Sequence, residues 1–450
     1  MNEGRGTVKE RITQLLEDKK LAELREELQK INPADLAILL EDMDEKERLL
    51  VYRLLPKELA ADTFAFMESD MQEGLINGFT DRELREVLEQ TFVDDAVDMI
   101  EEMPANVINR ILRSTDRETR DAINQILNYP KDSAGSIMTI EYVKLSRYLT
   151  VADAISRIRR VGTDKETIYT CYVTEYRKLI GMVTVKDLLL AEDDELVEDI
   201  METNVITVNT HDDKEDVAKQ MSKYDFMAMP VVDDEGRLVG IVTFDDAIDV
   251  LEEETTEDFS KLAAMSPNED SYFKTSVPIH AKNRIGWLLV LMLSATLSGS
   301  VLRHYEAAFQ AIPLLVSFIP MLMGIGGNCG SQTSTLVIRG LALDEIHIGD
   351  FFRIIWKELR IALIVSVVLA IVNGIRIQLT YHDMTISLIV ALSMVGIVIL
   401  GKLVGGMLPI VAKSLKLDPA LMATPLITTI LDTCSILIYF GIATHFLALT

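Results

Sequence analysis

Cysteine, histidine and tryptophan are scarce in this 450-residue chain, with three, six and two copies. Cys171, Cys329 and Cys434 lie far apart and form no CxxC pair or Cys/His cluster, so neither a disulfide framework nor a zinc site is indicated. We expect buried, inert thiols. HExxH, Gly-x-Gly-Asp and Walker A motifs are also missing, which argues against an intramembrane protease and an ATP-driven pump. The chain is therefore not expected to be an enzyme.

An excess of basic residues is missing as well, since the whole chain carries a net charge of −26. Residues 281–450 hold 11 Lys/Arg and 8 Asp/Glu, so the remaining 33 Lys/Arg and 62 Asp/Glu give residues 1–280 a net charge of −29. Such a surface repels phosphate, which excludes nucleic acid as an expected partner. The first twenty residues have no apolar core, so they are not expected to act as a secretory signal.

Residues 1–130 have the pattern of successive short helices. Apolar residues recur at helical spacing, as in Leu36–Leu39–Leu40 and Leu84–Val87–Leu88. Capping and breaking residues return every dozen or two residues, as at Asn32–Pro33 and Thr80–Asp81. This pattern predicts an acidic array of helices in which each buries its apolar stripe against its neighbours.

Residues 137–251 contain an internal duplication. Each copy has a helical stretch (Val151–Val161, then 213–224) followed by a β-rich run (167–173, then Ala228–Val232). Each copy ends with a strand that contains a glycine, Gly181 or Gly240, followed by a Thr-x-x-Asp turn. The duplication resembles a tandem pair of CBS domains, and this resemblance implies an adenine nucleotide such as ATP at Thr184 and Asp187. The same residues also suit a simple helix cap, as do Thr243 and Asp246 in the second copy.

Five later segments are apolar and about 20 residues long, enough to cross a hydrocarbon core of about 30 Å. Their predicted limits are 285–302, 308–336, 361–377, 386–408 and 421–447. With the N-terminus inside, eight basic residues flank the cytoplasmic ends and only Arg303 and Arg376 lie on the other side. The eight are Lys282, Arg284, Arg339, Arg353, Lys357, Arg360, Lys413 and Lys416. The positive-inside rule therefore predicts a multi-pass inner-membrane protein with a cytoplasmic N-terminus and an external C-terminus.

Two of these spans carry unexpected polar residues. The second contains Gly326-Gly-Asn-Cys-Gly-Ser-Gln332, which suits either close packing of helices or a water-facing wall in which Asn328 and Gln332 meet a hydrated cation. The fifth holds Asp432 near mid-span, where a carboxylate costs at least ~2.5–3.5 kcal/mol. We interpret Asp432 as a cation-coordinating residue of a pore. A salt bridge to Lys402 and a protonated, buried Asp432 are the alternatives.

Oxygen ligands without thiolate or imidazole partners favour a hard cation, with Mg²⁺ the best candidate. Asp418 lies at the predicted cytoplasmic entrance, where it either meets the ion or caps a helix. Five spans make a thin wall for an ion path, so a symmetric homodimer around one pathway is expected.

An acidic segment, residues 245–258, links the second CBS copy to the first span. On a helix, Asp246, Asp249, Glu253 and Glu257 share one face. A solvated acidic surface is one interpretation. The other is a sensor in which this helix and a second acidic patch, around Asp94 and Asp98, repel each other until divalent cations bridge them.

Taken together, these features resemble the MgtE family of magnesium channels over nearly the full chain. The resemblance rests on the acidic helical region, the CBS pair, the Gly-Gly-Asn-x-Gly-x-Gln motif and the Asp418…Pro425…Asp432 pattern. It implies a homodimer with Asp432 as the ion-selecting carboxylate. It also implies regulatory Mg²⁺ at a set of cytoplasmic carboxylates: Asp62, Asp94, Asp98, Asp213, Glu215, Asp225, Asp246, Asp249, Glu254, Glu257 and Asp258. Thr424 departs from the asparagine expected before Pro425 and leaves the gate's hydrogen bonding open.

The predicted fold is therefore multidomain. It combines an all-α helical-repeat N-domain (1–130), an α/β tandem CBS pair (131–199 and 200–251), a linking helix (245–280) and a five-helix transmembrane domain (281–450). The predicted function is Mg²⁺ uptake through a channel or carrier that closes when Mg²⁺ binds the cytoplasmic region. Transport of other divalent ions, such as Co²⁺ or Mn²⁺, and a membrane-anchored nucleotide sensor are the alternatives. A CBS-regulated anion channel is disfavoured by Asp432.

Overall fold

The computed structural model describes residues 2–268, 272–273, 275–305, 312–422 and 424–447. The chain divides into two units, residues 1–251 and residues 252–450. Each unit has apolar cores of its own. The predicted order of a helical region, a CBS pair, a linking helix and five apolar helices is confirmed.

Within residues 2–126 the chain forms ten short helices. They are α1 (Asn2–Glu17), α2 (Leu21–Leu28), α3 (Pro33–Glu41), α4 (Glu45–Tyr52), α5 (Lys57–Ala65), α6 (Ser69–Gly78), α7 (Asp81–Leu88), α8 (Val93–Glu102), α9 (Ala105–Ser114) and α10 (Arg117–Ile126). Side chains at the predicted breaks cap them: Asn32 accepts from the Ala34 amide, and Thr80 forms a capping box with Glu83. Leu36, Leu84 and other members of the predicted stripes are buried in one core.

Residues 142–243 form two three-stranded sheets, each with one parallel and one antiparallel pair of strands. The strands are β1 (Tyr142–Leu145), β2 (Thr167–Glu175), β3 (Lys178–Thr184), β4 (Val208–Asn209), β5 (Ala228–Val232) and β6 (Leu238–Thr243). The helices between them are α11 (Val151–Val161), α12 (Val185–Leu190), α13 (Val197–Ile200) and α14 (Lys214–Tyr224). The predicted helix Val151–Val161 and strand Ala228–Val232 match exactly in their bounds.

The two copies exchange their opening segments. Thr139, from the start of the first copy, pairs with Ile241 in β6, and Glu202, from the start of the second, pairs with Met182 in β3. A Cβ atom on Gly240 would lie 2.9 Å from the Thr139 carbonyl oxygen, and one on Gly181 would lie 2.9 Å from that of Glu202. Glycine at both positions therefore permits this exchange.

The linking segment forms one 19-residue helix, α15 (Phe244–Leu262), which begins in the first unit and ends in the second. Among the described residues, five helices are long and apolar enough to cross a membrane. These first to fifth spans are Val277–His304, Pro313–Ala342, Ile348–Tyr381, Met384–Ser414 and Pro419–Leu447. They extend beyond most of the predicted limits. The predicted start of the second span, near residue 308, lies outside the described residues.

Glycines bring the second span against the fourth and fifth. A Cβ on Gly401 would lie 2.9 Å from the carbonyl oxygen of Gly326, and one on Gly405 would collide with the backbone of Gly330. On the fifth span, Thr428 contacts the position where Gly327 would carry a Cβ, at 2.9 Å. The packing interpretation of the Gly-rich motif therefore holds for its glycines.

Candidate cation path and acidic cluster

The second span has two different faces at the motif. Gly326, Gly327 and Gly330 are buried against neighbouring spans, whereas Asn328 and Gln332 are exposed. Asn328 and Gln332 line a cavity of about 630 Å³ together with Ser331, Thr335, Leu336 and Lys402. The two interpretations of the motif thus apply to different residues: the glycines pack, and the amides face open space.

Asp432 is half-buried on the fifth span. It follows the first helical residue, Thr424, by eight positions, which places it about 12 Å into that helix. The next residue ties the fifth span to the first: the Thr433 hydroxyl lies 2.7 Å from the Ser298 hydroxyl. Within the described ranges, no hydrogen bond or ion pair engages the Asp432 carboxylate. The group is therefore a candidate cation ligand, and each chain carries one such carboxylate.

Lys402 does not pair with Asp432 in the described part of the chain. Its ammonium donates to the Thr333 hydroxyl at 3.2 Å, and this hydroxyl donates to the Glu358 carboxylate at 2.9 Å. The salt-bridge alternative for Asp432 is therefore not what the structure shows. Sequence reasoning missed Glu358, because the start of the third span was placed after it, at residue 361.

Asp418 is engaged by a lysine. Lys261, in the last turn of α15, lies 2.6 Å from the Asp418 carboxylate and 2.7 Å from that of Glu257. These two carboxylates raise the pKa of Lys261 although burial opposes them. Asp418 also accepts from the Ala420 amide at 2.8 Å, as its alternative role as a cap requires. Two predicted cation ligands thus share one side-chain cation.

Carboxylates crowd together around the start of α8 in the first unit. Glu141 accepts from the Val93 amide at 3.0 Å and so caps α8, and Asp94 is buried in the first turn. Asp246, at the start of α15, adds charge beside Asp94, and Asp95 lies near Asp245. The acidic cluster, as we name it, comprises Asp94, Asp95, Glu141, Glu166, Asp245 and Asp246.

Burial and mutual repulsion shift the proton affinities of this cluster. Burial first, and Asp245 next, raises the pKa of Asp95 to about 6. Burial raises the pKa of Asp246 to about 7 and that of Glu166 to about 8, with nearby carboxylates adding to both. The pKa of Asp94 is raised well above its usual range by burial and by Asp246. One oxygen of Glu166 is buried without a hydrogen-bond partner among the described residues.

The cluster holds oxygen ligands only, which suits a hard divalent cation. Among the described residues, however, no three His, Cys, Asp or Glu side chains stand close enough to hold one ion together. The carboxylates therefore fit Mg²⁺ by donor chemistry, and an Mg²⁺ ion bound here would keep part of its water shell.

The other predicted sensor residues are spread out. Asp62, on α5, adds to the negative charge around Asp95, and partial desolvation, followed by the charge of Glu58, raises the pKa of Asp62 itself. Asp213 caps the start of α14 and Asp225 ends it, about 18 Å apart, so one chain cannot place both on the same ion. Glu215 pairs with Lys219 at 2.6 Å.

The remaining four predicted carboxylates lie on two helices. Asp98 is on α8, and Asp249, Glu254 and Asp258 are on α15, each with other interactions in the described chain. The charge of Asp249 helps to raise the pKa of Asp95. Glu254 and Asp258 belong to the second unit.

The predicted nucleotide residues form a helix cap. Thr184 and Asp187 make a capping box at the start of α12, with the Asp187 amide 3.1 Å from the Thr184 hydroxyl. Thr243 makes the matching contact with Asp246 at 2.5 Å. The backbone of Thr424 begins the last helix, but its side chain lies outside the described residues.

Comparisons with known proteins agree over nearly the full chain. Residues 319–442 match the MgtE divalent cation transporter model, residues 31–132 the MgtE intracellular N domain, and residues 134–194 and 197–253 the CBS domain. The magnesium transporter MgtE of Bacillus subtilis is 34% identical over 97% of each chain. That of Thermus thermophilus is 36% identical over 93% of this chain and 94% of its own.

Solved structures agree for the N-terminal half of the chain. The cytosolic domain of the Mg²⁺ channel MgtE in complex with ATP is 37% identical, with a TM-score of 0.51, and the match covers 53% of this chain and 98% of that one. The soluble part of a magnesium transporter is 30% identical, with a TM-score of 0.53, covering 56% and 99%. The predicted resemblance is confirmed, and the five apolar helices belong to a multi-pass membrane protein.

Proposed function

The chain belongs to the MgtE family of divalent cation transporters, and we propose that it moves Mg²⁺ across a membrane as a homodimer with an Asp432 carboxylate from each subunit on the ion path. The observation that carries this proposal is Asp432 itself. It is half-buried within an apolar span, free of protein partners in the described ranges, and next to a span whose amides face a cavity. A carboxylate and amide oxygens suit a hydrated Mg²⁺.

Purified protein in liposomes tests the transported ion directly. We expect Mg²⁺ uptake that saturates with concentration and exceeds Co²⁺ and Mn²⁺ uptake at matched concentrations. Empty liposomes and a heat-inactivated sample are the controls. Equal uptake of all three ions would support the broader divalent cation transporter instead, and no uptake of any of them would contradict the proposal.

We further propose that the acidic cluster is the regulatory element. Buried carboxylates repel one another in the ion-free arrangement, and a divalent cation that brings them together stabilises the assembly of α8, the CBS pair and α15. By linkage, an ion that binds the closed form better favours closure. High cytoplasmic Mg²⁺ then closes the path and ends uptake. The proposal requires the N-terminal unit and the acidic cluster to face the cytoplasm.

The same crowding makes stability depend on pH. The raised pKa values mean that the folded form binds more protons than the unfolded chain between about pH 4 and about pH 8, so stability falls as pH rises across this window. For a fragment of residues 1–262 in EDTA, we expect a Tm several degrees higher near pH 5.5 than near pH 8. Differential scanning calorimetry measures it. The soluble parts of relatives fold without their spans.

Mg²⁺ is expected to replace the protons. Millimolar Mg²⁺ should raise the Tm strongly near pH 8 and little near pH 5.5, where protons already relieve the repulsion. NaCl at matched ionic strength is the control, since general screening acts on all surface charges. Equal stabilisation by NaCl and Mg²⁺ would refute a specific ion role for the acidic cluster.

An adenine nucleotide at the CBS pair is a second ligand that we propose. It is supported by the related cytosolic domain whose structure contains ATP. Thr184 and Asp187 are the candidate residues, and a nucleotide hydroxyl bound there would share the oxygens of their capping box.

A further inference from the structure

Three buried polar side chains meet between the second, third and fourth spans. Lys402 is 6% exposed, Thr333 is 1% exposed and Glu358 is 8% exposed. The ammonium of Lys402 donates to the Thr333 hydroxyl, which in turn donates to the Glu358 carboxylate. A charge of each sign is thus buried, and one hydroxyl joins them. We refer to these three residues as the buried triad.

Close helix packing holds the buried triad in place. The second and fourth spans cross where Gly326 and Gly330 meet Gly401 and Gly405. A Cβ on Gly406 would lie 3.5 Å from the Thr333 side chain and 3.6 Å from that of Glu358. The buried triad therefore lies beside a close contact of the second and fourth spans, where Thr333 accepts a hydrogen bond from the Lys402 ammonium.

The two charges lie at different depths relative to the cavity. Lys402 lines it beside Asn328 and Gln332, whereas Glu358 is not among its lining residues and reaches Lys402 through Thr333. A cation in the cavity therefore meets the ammonium first. The carboxylate offsets part of this repulsion, because it keeps the pair neutral as a whole.

We propose that Lys402 sets how tightly the ion path holds Mg²⁺: its ammonium, balanced by Glu358 through Thr333, weakens cation binding at the Asn328–Gln332 wall. Conduction requires binding that is favourable enough for entry and weak enough for exit. A divalent ion feels twice the repulsion of a monovalent one, so the ammonium shortens the stay of Mg²⁺ at this wall and leaves Asp432 as the tighter site. This inference rests on the proposed function.

Kinetics of the full-length protein in liposomes separate this role from a structural one. Removing the positive charge with K402M should lower the KM for Mg²⁺, on the order of tenfold, and lower the maximal flux, because ions leave more slowly. Removing the negative charge with E358Q should raise the KM by a similar factor. The double variant E358Q/K402M has no buried charge, and its KM should fall below that of the wild type.

Thr333 supplies a test without any change of charge. T333S keeps the bridging hydroxyl and should retain the wild-type KM, whereas T333V is nearly isosteric, disconnects the two charges and should change it. If a single charge variant fails to fold, the KM values of E358Q/K402M, T333S and T333V still test the proposal. Folded variants with an unchanged KM for Mg²⁺ would reduce the buried triad to a structural tie and overturn the proposal. A wild-type protein without Mg²⁺ flux would instead refute the proposed function.

Discussion

Asp432→Asn is expected to abolish Mg²⁺ flux while leaving the protein folded and inserted. The attraction between a divalent ion and a carboxylate about 5 Å away, across one water, is about 7 kcal/mol at an effective dielectric constant of about 20. A loss of only half of this energy, about 3.5 kcal/mol, already weakens Mg²⁺ binding several hundredfold. The amide keeps the size of the side chain and removes an unpaired charge from the span, so insertion should become easier.

Liposome flux of Asp432→Asn, normalised to protein recovered as a single peak in size exclusion, measures this effect. Asp344→Asn is a matched control, because Asp344 is exposed after the second span with a φ of 54°, a conformation that asparagine adopts readily. Its flux should equal that of the wild type. Asp432→Glu keeps the charge on a longer side chain and should retain partial flux. Normal flux through folded Asp432→Asn would remove this residue from the ion path.

Asp94→Asn together with Asp246→Asn should make the transporter insensitive to cytoplasmic Mg²⁺ and hold it closed. The pair loses ion ligands, which favours opening at high Mg²⁺, and it loses repulsion, which favours closure at every Mg²⁺ level. Asp94 is only 7% exposed, so solvent does not screen this repulsion as it would at a surface. We therefore expect the loss of repulsion to dominate.

Flux against Mg²⁺ on the cytoplasmic side, in inside-out patches, measures the change. The wild type should close as Mg²⁺ rises, whereas the double variant should show at least severalfold lower flux at low Mg²⁺ and little further change. Glu26→Gln with Glu89→Gln removes the same charge from two exposed positions of the helical region and should respond like the wild type. A double variant that stays open at high Mg²⁺ would show that ligand loss dominates.

Local patterns in the sequence predicted the elements well. Val151–Val161 and Ala228–Val232 have the predicted bounds, because amphipathic spacing and β-branched runs act within a few residues. The exchange of opening segments between the CBS copies was not predicted, since the pairings Thr139–Ile241 and Glu202–Met182 join distant positions. The alternative of a salt bridge between Lys402 and Asp432 fails for a similar reason: the rotation of each helix decides which side chains meet, and hydropathy does not set that rotation.

The acidic cluster shows which signal was overlooked. Glu141 and Glu166 were not singled out, yet each immediately precedes a strand, and these strands, β1 and β2, are parallel neighbours with Tyr142 opposite Thr167. The two glutamates are therefore side by side, and the Glu166 amide donates to the Glu141 carbonyl at 2.9 Å. The order of strands within a CBS copy would have placed Glu141 beside Glu166, whereas their proximity to Asp94 and Asp95 depends on how α8 packs and could not be predicted from it.

The contact between Lys261 and Asp418 decides where a chimaera of two relatives can be joined. Lys261 is the last residue but one of α15, yet it pairs with the turn before the fifth span, while the first turn of the same helix belongs with the acidic cluster. In a chimaera joined after residue 262, Lys261 and Asp418 would come from different relatives. Asp418 would then face a side chain that was not selected to pair with it. A join between Leu251 and Glu257 keeps both pairings with their own halves.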